Sequence, residues 1–203
     1  MLTAMEERAL HERFGALAPL SPKTWKAIVA LGSRESLAEG AFFSQPGKPA
    51  TRFAVVISGL LRHYYLDAKG KESVKAFRGP MELSGPYAEI VQRRPSRTFI
   101  EALTDAELFV FEVAAIDEAA ETSLELQRLV RRFVEVQFVA KEQREYEFLL
   151  LSAEERYRQF CASLPELVQH IPQHQIASYI GITPVALSRI RARGRKRAEK
   201  RRP

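Results

Sequence analysis

The spacing of apolar residues changes twice along this chain. Between residues 5 and 31 they recur at helical spacing, with Leu10, Phe14 and Leu17 on one stripe. Ser21-Pro22 reads as a helix start, with Ser as N-cap and Pro in the first turn, and Trp25, Ile28, Val29 and Leu31 form the apolar side that follows. From about residue 37 to 113 the period shortens. Short β-rich runs at 42–43, 53–57, 60–66, 73–77, 98–103 and 108–113 alternate with turn signals such as Gln45-Pro46-Gly47, Asp67-Ala68-Lys69-Gly70 and Arg78-Gly79-Pro80. Many short strands at this spacing predict a compact antiparallel barrel or roll. From about 115 the helical period returns. Thr122-Ser123 can cap a helix running to about Leu150 with no Gly or Pro inside it. Leu126, Val130, Phe133 and Ala140 lie near one stripe, with Leu129 and Val136 beside it, until Arg144 and Glu147 interrupt. Such a helix is either a dimer seam or a cover for its own barrel. Ser152-Ala153-Glu154-Glu155 is a capping box opening another helix, which Pro165 ends. The predicted organisation is a β unit with N-terminal helices over 1–115, a connecting helix over 116–150 and a C-terminal unit over 151–203.

Residues 173–192, QHQIASYIGITPVALSRIRA, carry the most specific pattern. Ile176, Ile180, Ile182, Leu187 and Ile190 are spaced to fill the core between two crossing helices. Small Ala177 permits close approach, and Gly181 supplies the backbone freedom of the turn. Thr183 and Pro184 suit the start of the second helix. This is a helix-turn-helix, whose second helix enters the major groove by its N-terminal part. Pro184, Val185, Ser188, Arg189 and Arg191 are then the candidates for the DNA face. Arg189 has the reach for a bidentate guanine contact. Gln173, Thr183, Arg191 and Arg193 are placed to anchor phosphates.

Charge strengthens that reading. Of 31 Lys and Arg and 25 Asp and Glu in 203 residues, residues 189–203 hold nine basic side chains and one acid, a local charge of +8. The remaining 22 basic and 24 acidic residues leave the body at −2. A concentrated cation at one end attracts polyanions such as duplex DNA.

Other chemistry finds little support. One Cys excludes an internal disulfide and the usual cysteine-rich metal or cluster sites. A cupin-type metal enzyme needs several His converging in the barrel, and only His63 falls in the strand region. His170 and His174 are four apart but separated by Pro172. Cys161, beside Phe160, is expected to be buried and inert. No phosphate-binding glycine loop and no nucleophile elbow is present. The N-terminus is charged and no apolar run is long enough to span a bilayer, so a cytoplasmic non-enzyme with no membrane partner is expected.

Barrel, long helix and helix-turn-helix, in that order, resemble the Crp/Fnr family of bacterial transcription regulators. The matching stretches are AVVISGLLRHYYLDAKGKES (54–73), PSRTFIEALTDAELFVFE (95–112), LSAEERYRQF from 151 and IASYIGITPVALSRIR to 191. The resemblance implies an α+β protein: an antiparallel, cyclic-nucleotide-binding-like β-roll with flanking helices, a long dimerisation helix and a C-terminal helix-turn-helix. It implies a homodimer on a two-fold symmetric duplex site, an effector in the roll, and leaves RNA polymerase open as a further partner. Members that bind cyclic nucleotides carry Gly-Glu-apolar and, about ten residues on, Arg-Ser/Thr-Ala. Here Ser84-Gly85-Pro86-Tyr87 and Arg97-Thr98-Phe99 stand instead. Gly85, Arg97 and Thr98 fit the family's effector pocket. Pro86 cannot accept the ribose bond, and Phe99 is expected to fill space, while Glu89 lies off the spacing. The usual cyclic AMP mode is therefore not expected, and no other cofactor is implied; the effector is some other small molecule or none. Many members carry Glu where Val185 stands, so the operator should differ. The family's β-wing is missing after Arg193, where the basic tail is placed to contact phosphates. The expectation is a dimeric, sequence-specific transcription regulator. The alternative is a ligand-binding or interaction module with only nonspecific affinity for DNA.

Overall fold

The computed structural model describes the backbone of residues 1–199 and side chains through Arg193. The side chains of Arg195, Lys196 and Arg197, and all of Lys200, Arg201 and Arg202, lie outside the described residues.

Helix α1 (Ala4–Gly15) starts in a complete capping box between Thr3 and Glu6, and α2 (Pro22–Leu31) on the Ser21 cap. Eight strands follow: β1 (Gly32–Leu37), β2 (Phe42–Ser44), β3 (Arg52–Ser58), β4 (Leu61–Leu66), β5 (Glu72–Arg78), β6 (Leu83–Ser84), β7 (Phe99–Ala102) and β8 (Ala106–Glu112). Short helix α3 (Tyr87–Val91) lies between β6 and β7. The strands form two four-stranded antiparallel sheets, ordered β1-β8-β3-β6 and β2-β7-β4-β5. Then come α4 (Val113–Thr122), α5 (Leu124–Leu150), α6 (Ala153–Ser163), a 3₁₀ turn (Val168–His170), α7 (Gln173–Ile180) and α8 (Pro184–Glu199).

Strand alternation builds a layered molecule. Ala54, Val56, Leu108 and Val110 point from the first sheet toward Leu61, Ile100 and Ala102 of the second. Their neighbours Val55, Ile57, Phe109 and Phe111 point the other way, under α1, α2, α4 and the start of α5. Both faces are buried, which is why FAVVI (53–57) reads as a continuous apolar run rather than an alternating one. The outer face of the second sheet is also covered. Leu60, Tyr64, Val74 and Phe77 share one core with Phe160, Ile171, Ile176, Ile180 and Leu187. The C-terminal helices are thus packed onto the roll.

Helix α5 covers the roll with one face and leaves another apolar face exposed. Leu126 and Leu129 are buried against the roll, and Val130 and Phe133 pack beside them. The stripe read from the sequence is therefore mostly a cover. Glu125 fixes its start by accepting the Ser21 N–H and hydroxyl, each at 2.9 Å. Val136, Val139, Tyr146 and Leu150 are exposed instead, and with Gln143 they follow alternating three- and four-residue steps. After Arg193 the backbone remains helical to Glu199.

Candidate nucleic-acid interface and sensor cleft

The helix-turn-helix is closed by its turn. Gly181 adopts φ 77°, and its N–H donates to the Ser178 carbonyl at 3.2 Å while that of Ile182 donates to the Ala177 carbonyl at 2.9 Å. This pair of bonds is a Schellman motif, which needs a left-handed residue. A side chain at 181 would also meet the Phe148 ring, 2.6 Å from a Cβ, so glycine is required twice. The Thr183 hydroxyl then accepts the Ala186 N–H at 3.2 Å, capping α8. Leu187 and Ile190 are buried, and Leu187 shares one core with Ile176, Ala177 and Ile180. Burying one such aliphatic side chain is worth about 1.5–3 kcal/mol, enough for four or five to set the crossing.

The opposite side of α8 is bare. Thr183, Pro184, Val185, Ser188, Arg189, Arg191 and Arg193 are all exposed, as is Gln173 at the start of α7. The structure thus brings every sequence-predicted DNA-face residue to solvent. Arg191 also reaches Tyr157, whose hydroxyl is pushed up by burial and the Cys161 hydrogen bond, with Arg191 opposing. Cys161 itself is half-buried rather than enclosed.

Sequence reasoning missed how this unit is held to the roll. β5 is an edge strand, and α7 lies along it. The Ser178 hydroxyl accepts the Val74 N–H at 3.0 Å and donates to the Glu72 carbonyl at 3.3 Å. Arg144 of α5 donates to the Tyr179 carbonyl at 2.8 Å, and Arg156 of α6 to the Ile180 carbonyl at 3.0 Å. Both cations sit at the negative end of α7. The Arg144 guanidinium also lies over the Tyr179 ring, 3.9 Å from its centroid. Burial pulls Arg144 below its ordinary value; Tyr179 and Glu147 oppose this, and Arg156 and Arg78 add to it. Its carbonyl partner lies 35 residues away in sequence, and no local signal marks it.

On the roll's outer face, Arg62 is buried with ion pairs to Glu72 and to Glu101, the latter at 2.6 Å. Burial acts to lower its pKa, but the hydrogen bonds to Glu101 and Glu72 outweigh this and raise it. Its guanidinium lies 4.0 Å above the Tyr64 ring, which stacks on Phe99 at 4.8 Å. Phe99 therefore faces the C-terminal helices and not the inner side of the roll, contrary to the sequence expectation. The pairing of Tyr64 with Phe99 across β4 and β7 turns it outward.

The inward side holds a cleft of about 490 Å³ between the end of the roll, the second half of α5 and Tyr179. His63, Ser84, Gly85 and Tyr87 contribute from the roll, and Phe133 and Arg144 from α5. His63 is a structural residue here, its Nε2 2.7 Å from the Ser84 hydroxyl. Burial holds it well below its ordinary pKa, and Arg78 and Lys75 add to the effect. Gly85 is needed where it stands, because a Cβ would lie 2.9 Å from that of Phe53. Of the three predicted effector residues only Gly85 lines this cleft. Arg97 is mostly exposed and pairs with Glu89 at 3.1 Å. Thr98 is fully buried, its hydroxyl without a partner, as is the second carboxylate oxygen of Glu89. Pro86 is buried and caps α3, its carbonyl accepting the N–H groups of Glu89 and Ile90, each at 3.0 Å. Among the described residues no three His, Cys, Asp or Glu side chains are grouped as a metal would need.

Residues 34–123 match the family model of the cyclic nucleotide-binding domain. FixK2 from Bradyrhizobium japonicum superposes with a TM-score of 0.71 at 19% identity, over 82% of this chain and 86% of that one. CLP, a c-di-GMP responsive global regulator from Xanthomonas campestris, gives 0.68 at 15% identity, over 88% and 93%. A protein from Eubacterium rectale assigned to the Crp/Fnr family of transcriptional regulators gives 0.66 at 19%, over 84% and 82%. The chain has the Crp/Fnr fold. Its roll carries the cyclic nucleotide-binding domain, and CLP and the Eubacterium rectale protein are both described as regulators. No curated protein sequence matches it. No helix among the described residues is long and apolar enough to cross a membrane.

Proposed function

We propose that this protein is a dimeric, sequence-specific DNA-binding transcription regulator, without enzymatic activity, that inserts the first turns of α8 into the major groove. The observation that carries the reading is the two-sidedness of α8. Leu187 and Ile190 are committed to the core, and Thr183, Val185, Ser188 and Arg189 are left exposed on the side a groove would meet. A buried structural helix has no use for a bare face followed by a +8 segment. Arg189 reads a base edge, Val185 offers contact to a thymine methyl, and Gln173, Arg191 and Arg193 grip phosphates. The occupant of the exposed α5 stripe of Val136, Val139, Gln143, Tyr146 and Leu150 is the same stripe of a second copy, since steps of three and four residues are those of a two-helix seam. The two DNA-binding units then face two half-sites about one helical turn apart.

The test is selection of duplexes from a random library by the full-length protein. A symmetric consensus is expected, with affinity falling steeply as salt rises. Arg189→Ala should relax preference at one position of each half-site, a loss of about 1–3 kcal/mol in discrimination. Arg193→Ala should weaken all duplexes alike. Binding without any consensus would overturn the reading in favour of a module with only electrostatic affinity for DNA.

A further inference from the structure

A second, smaller cavity lies at the joint of α5, α6 and α7, and no residue of the roll lines it. Arg144, Glu147 and Phe148 face it from α5, and Arg156 and Gln159 from α6. Each arginine has a reason to be there alone. Both donate to carbonyls at the C-terminal end of α7, where a cation is favoured. That does not explain why they stand together. The Phe148 ring has one guanidinium 4.8 Å from its centroid and the other at 5.0 Å. Burial, and after it the charge of Arg156, pull Arg144 below its ordinary value. The one carboxylate on the wall, Glu147, accepts from Gln143 at 3.0 Å, and neither arginine has an ion pair among the described residues. A guanidinium carries five N–H groups. Arg144 gives one to Tyr179, and Arg156 gives two, to Ile180 and Leu151. The rest have no acceptor among the described residues. Two cations drawn partly out of water with no paired counter-charge are costly. The cavity measures about 150 Å³, below the range of sites for organic ligands and well above what one water needs. With Glu147 counted, its wall carries a net charge of +1. Size and charge together select a small anion. Gln159, on the wall, is exposed, which gives such an ion a way in.

We propose that this cavity binds a tetrahedral oxyanion, held between the free N–H groups of Arg144 and Arg156 with the Gln159 amide as a further donor. A guanidinium fork suits two oxygens of such an ion, and a tetrahedral ion has oxygens to offer in both directions, so one ion serves both arginines. It supplies the counter-charge that the chain leaves out and ties α5 to α6 across Leu151 and Ser152. The proposal does not depend on DNA binding: no residue assigned to the DNA face lines the cavity.

The probe is inorganic phosphate, titrated into the full-length protein at constant ionic strength and followed by the broadening of its phosphorus NMR line. One saturable site per chain is expected, with a dissociation constant on the order of 1 mM. Sulfate should displace the phosphate, and planar acetate should not. Gln159 bonds to nothing among the described residues, so Gln159→Glu leaves the fold alone. It places a carboxylate from the chain itself where the ion would sit, and should weaken phosphate at least tenfold. Gln92→Glu makes the same change of charge at the exposed end of α3 and should leave phosphate unchanged, which separates the cavity from general attraction to the basic tail. K75Q/K141Q should also leave it unchanged, because Lys75 and Lys141 line the larger cleft and not this cavity. No saturable site, or one that Gln159→Glu does not weaken, would overturn the proposal; so would a site lost in K75Q/K141Q. Failure to select a duplex consensus would refute the regulator and leave the oxyanion site standing.

Discussion

His63 offers a direct measure of how dry the roll's interior is. Its ring is 4% exposed, lodged between the sheets with Nε2 on the Ser84 hydroxyl. Burial and the nearby Arg78 and Lys75 keep it neutral well below its ordinary pKa of 6.5. The unfolded chain has no such restraint and takes up the proton near that ordinary value. Between the two values the unfolded state binds more protons, so stability rises with pH through this window and is flat above it. Lowering the pH from about 7.5 to about 5.5 should therefore cost about 1.4 kcal/mol through this one residue, the free energy of protonating the unfolded imidazole tenfold past its midpoint. The carboxylates held low by hydrogen bonds and cations, Glu6, Glu107, Glu125 and Glu155 among them, lose their contribution only as pH falls through 4.5 and below, so they add little at the chosen acid limit. The assay is urea unfolding of wild type and His63→Gln at both pH values, followed through Trp25, the single tryptophan, which packs at the roll's helical cover. Glutamine keeps a polar partner for Ser84 and cannot titrate. The wild type should lose about 1.4 kcal/mol more than the variant on acidification. Identical pH dependences, within about 0.3 kcal/mol, would refute a buried neutral imidazole.

Two further perturbations probe the turn and the seam. Gly181→Ala forces a methyl-bearing residue into φ 77° against the Phe148 ring, so the helix-turn-helix should lose about 1–3 kcal/mol, read as faster hydrogen exchange of the α7 amides; unchanged exchange would show that the turn is not held left-handed. Val139→Glu places a charge in the exposed α5 stripe and should shift sedimentation equilibrium to the monomer without changing the thermal midpoint of the roll; a persistent dimer would put the interface elsewhere.

What could be read from the sequence was local. Ser21-Pro22, the Ser152–Glu155 box and the Gly181 turn each appear as expected, because a cap or a left-handed turn is decided by residues three or four apart. Strand β1, GSRESL, escaped notice. Its outer positions are polar, and its pairing is supplied by β8 more than 70 residues on. β6 and α3 are too short for periodicity to register. On α5 the apolar positions were found and their partners were not: a helix with two apolar faces does not say which one meets the roll. That the eight residues proposed for the DNA face are exposed could be read from the sequence, because the spacing of the apolar residues in 173–192 fixes the inner positions and leaves the rest outside. The meeting of Arg144 with Arg156 could not, since they come from α5 and α6 and converge only in three dimensions.

The covering of β5 by α7 also bears on how such a protein can be cut, shuffled or inherited. Truncated at Leu150, the chain would keep both sheets but lose the side chain that occupies the Val74 N–H, and it would uncover Leu60, Tyr64, Val74 and Phe77 together. A bare edge strand beside an apolar patch is a template for pairing with its own kind. The roll is therefore not a portable module in this chain. A recombined descendant that exchanged the C-terminal helices would have to bring its own equivalent of Ser178 and of the surface beneath α7, or self-associate. The two halves are bound to change together.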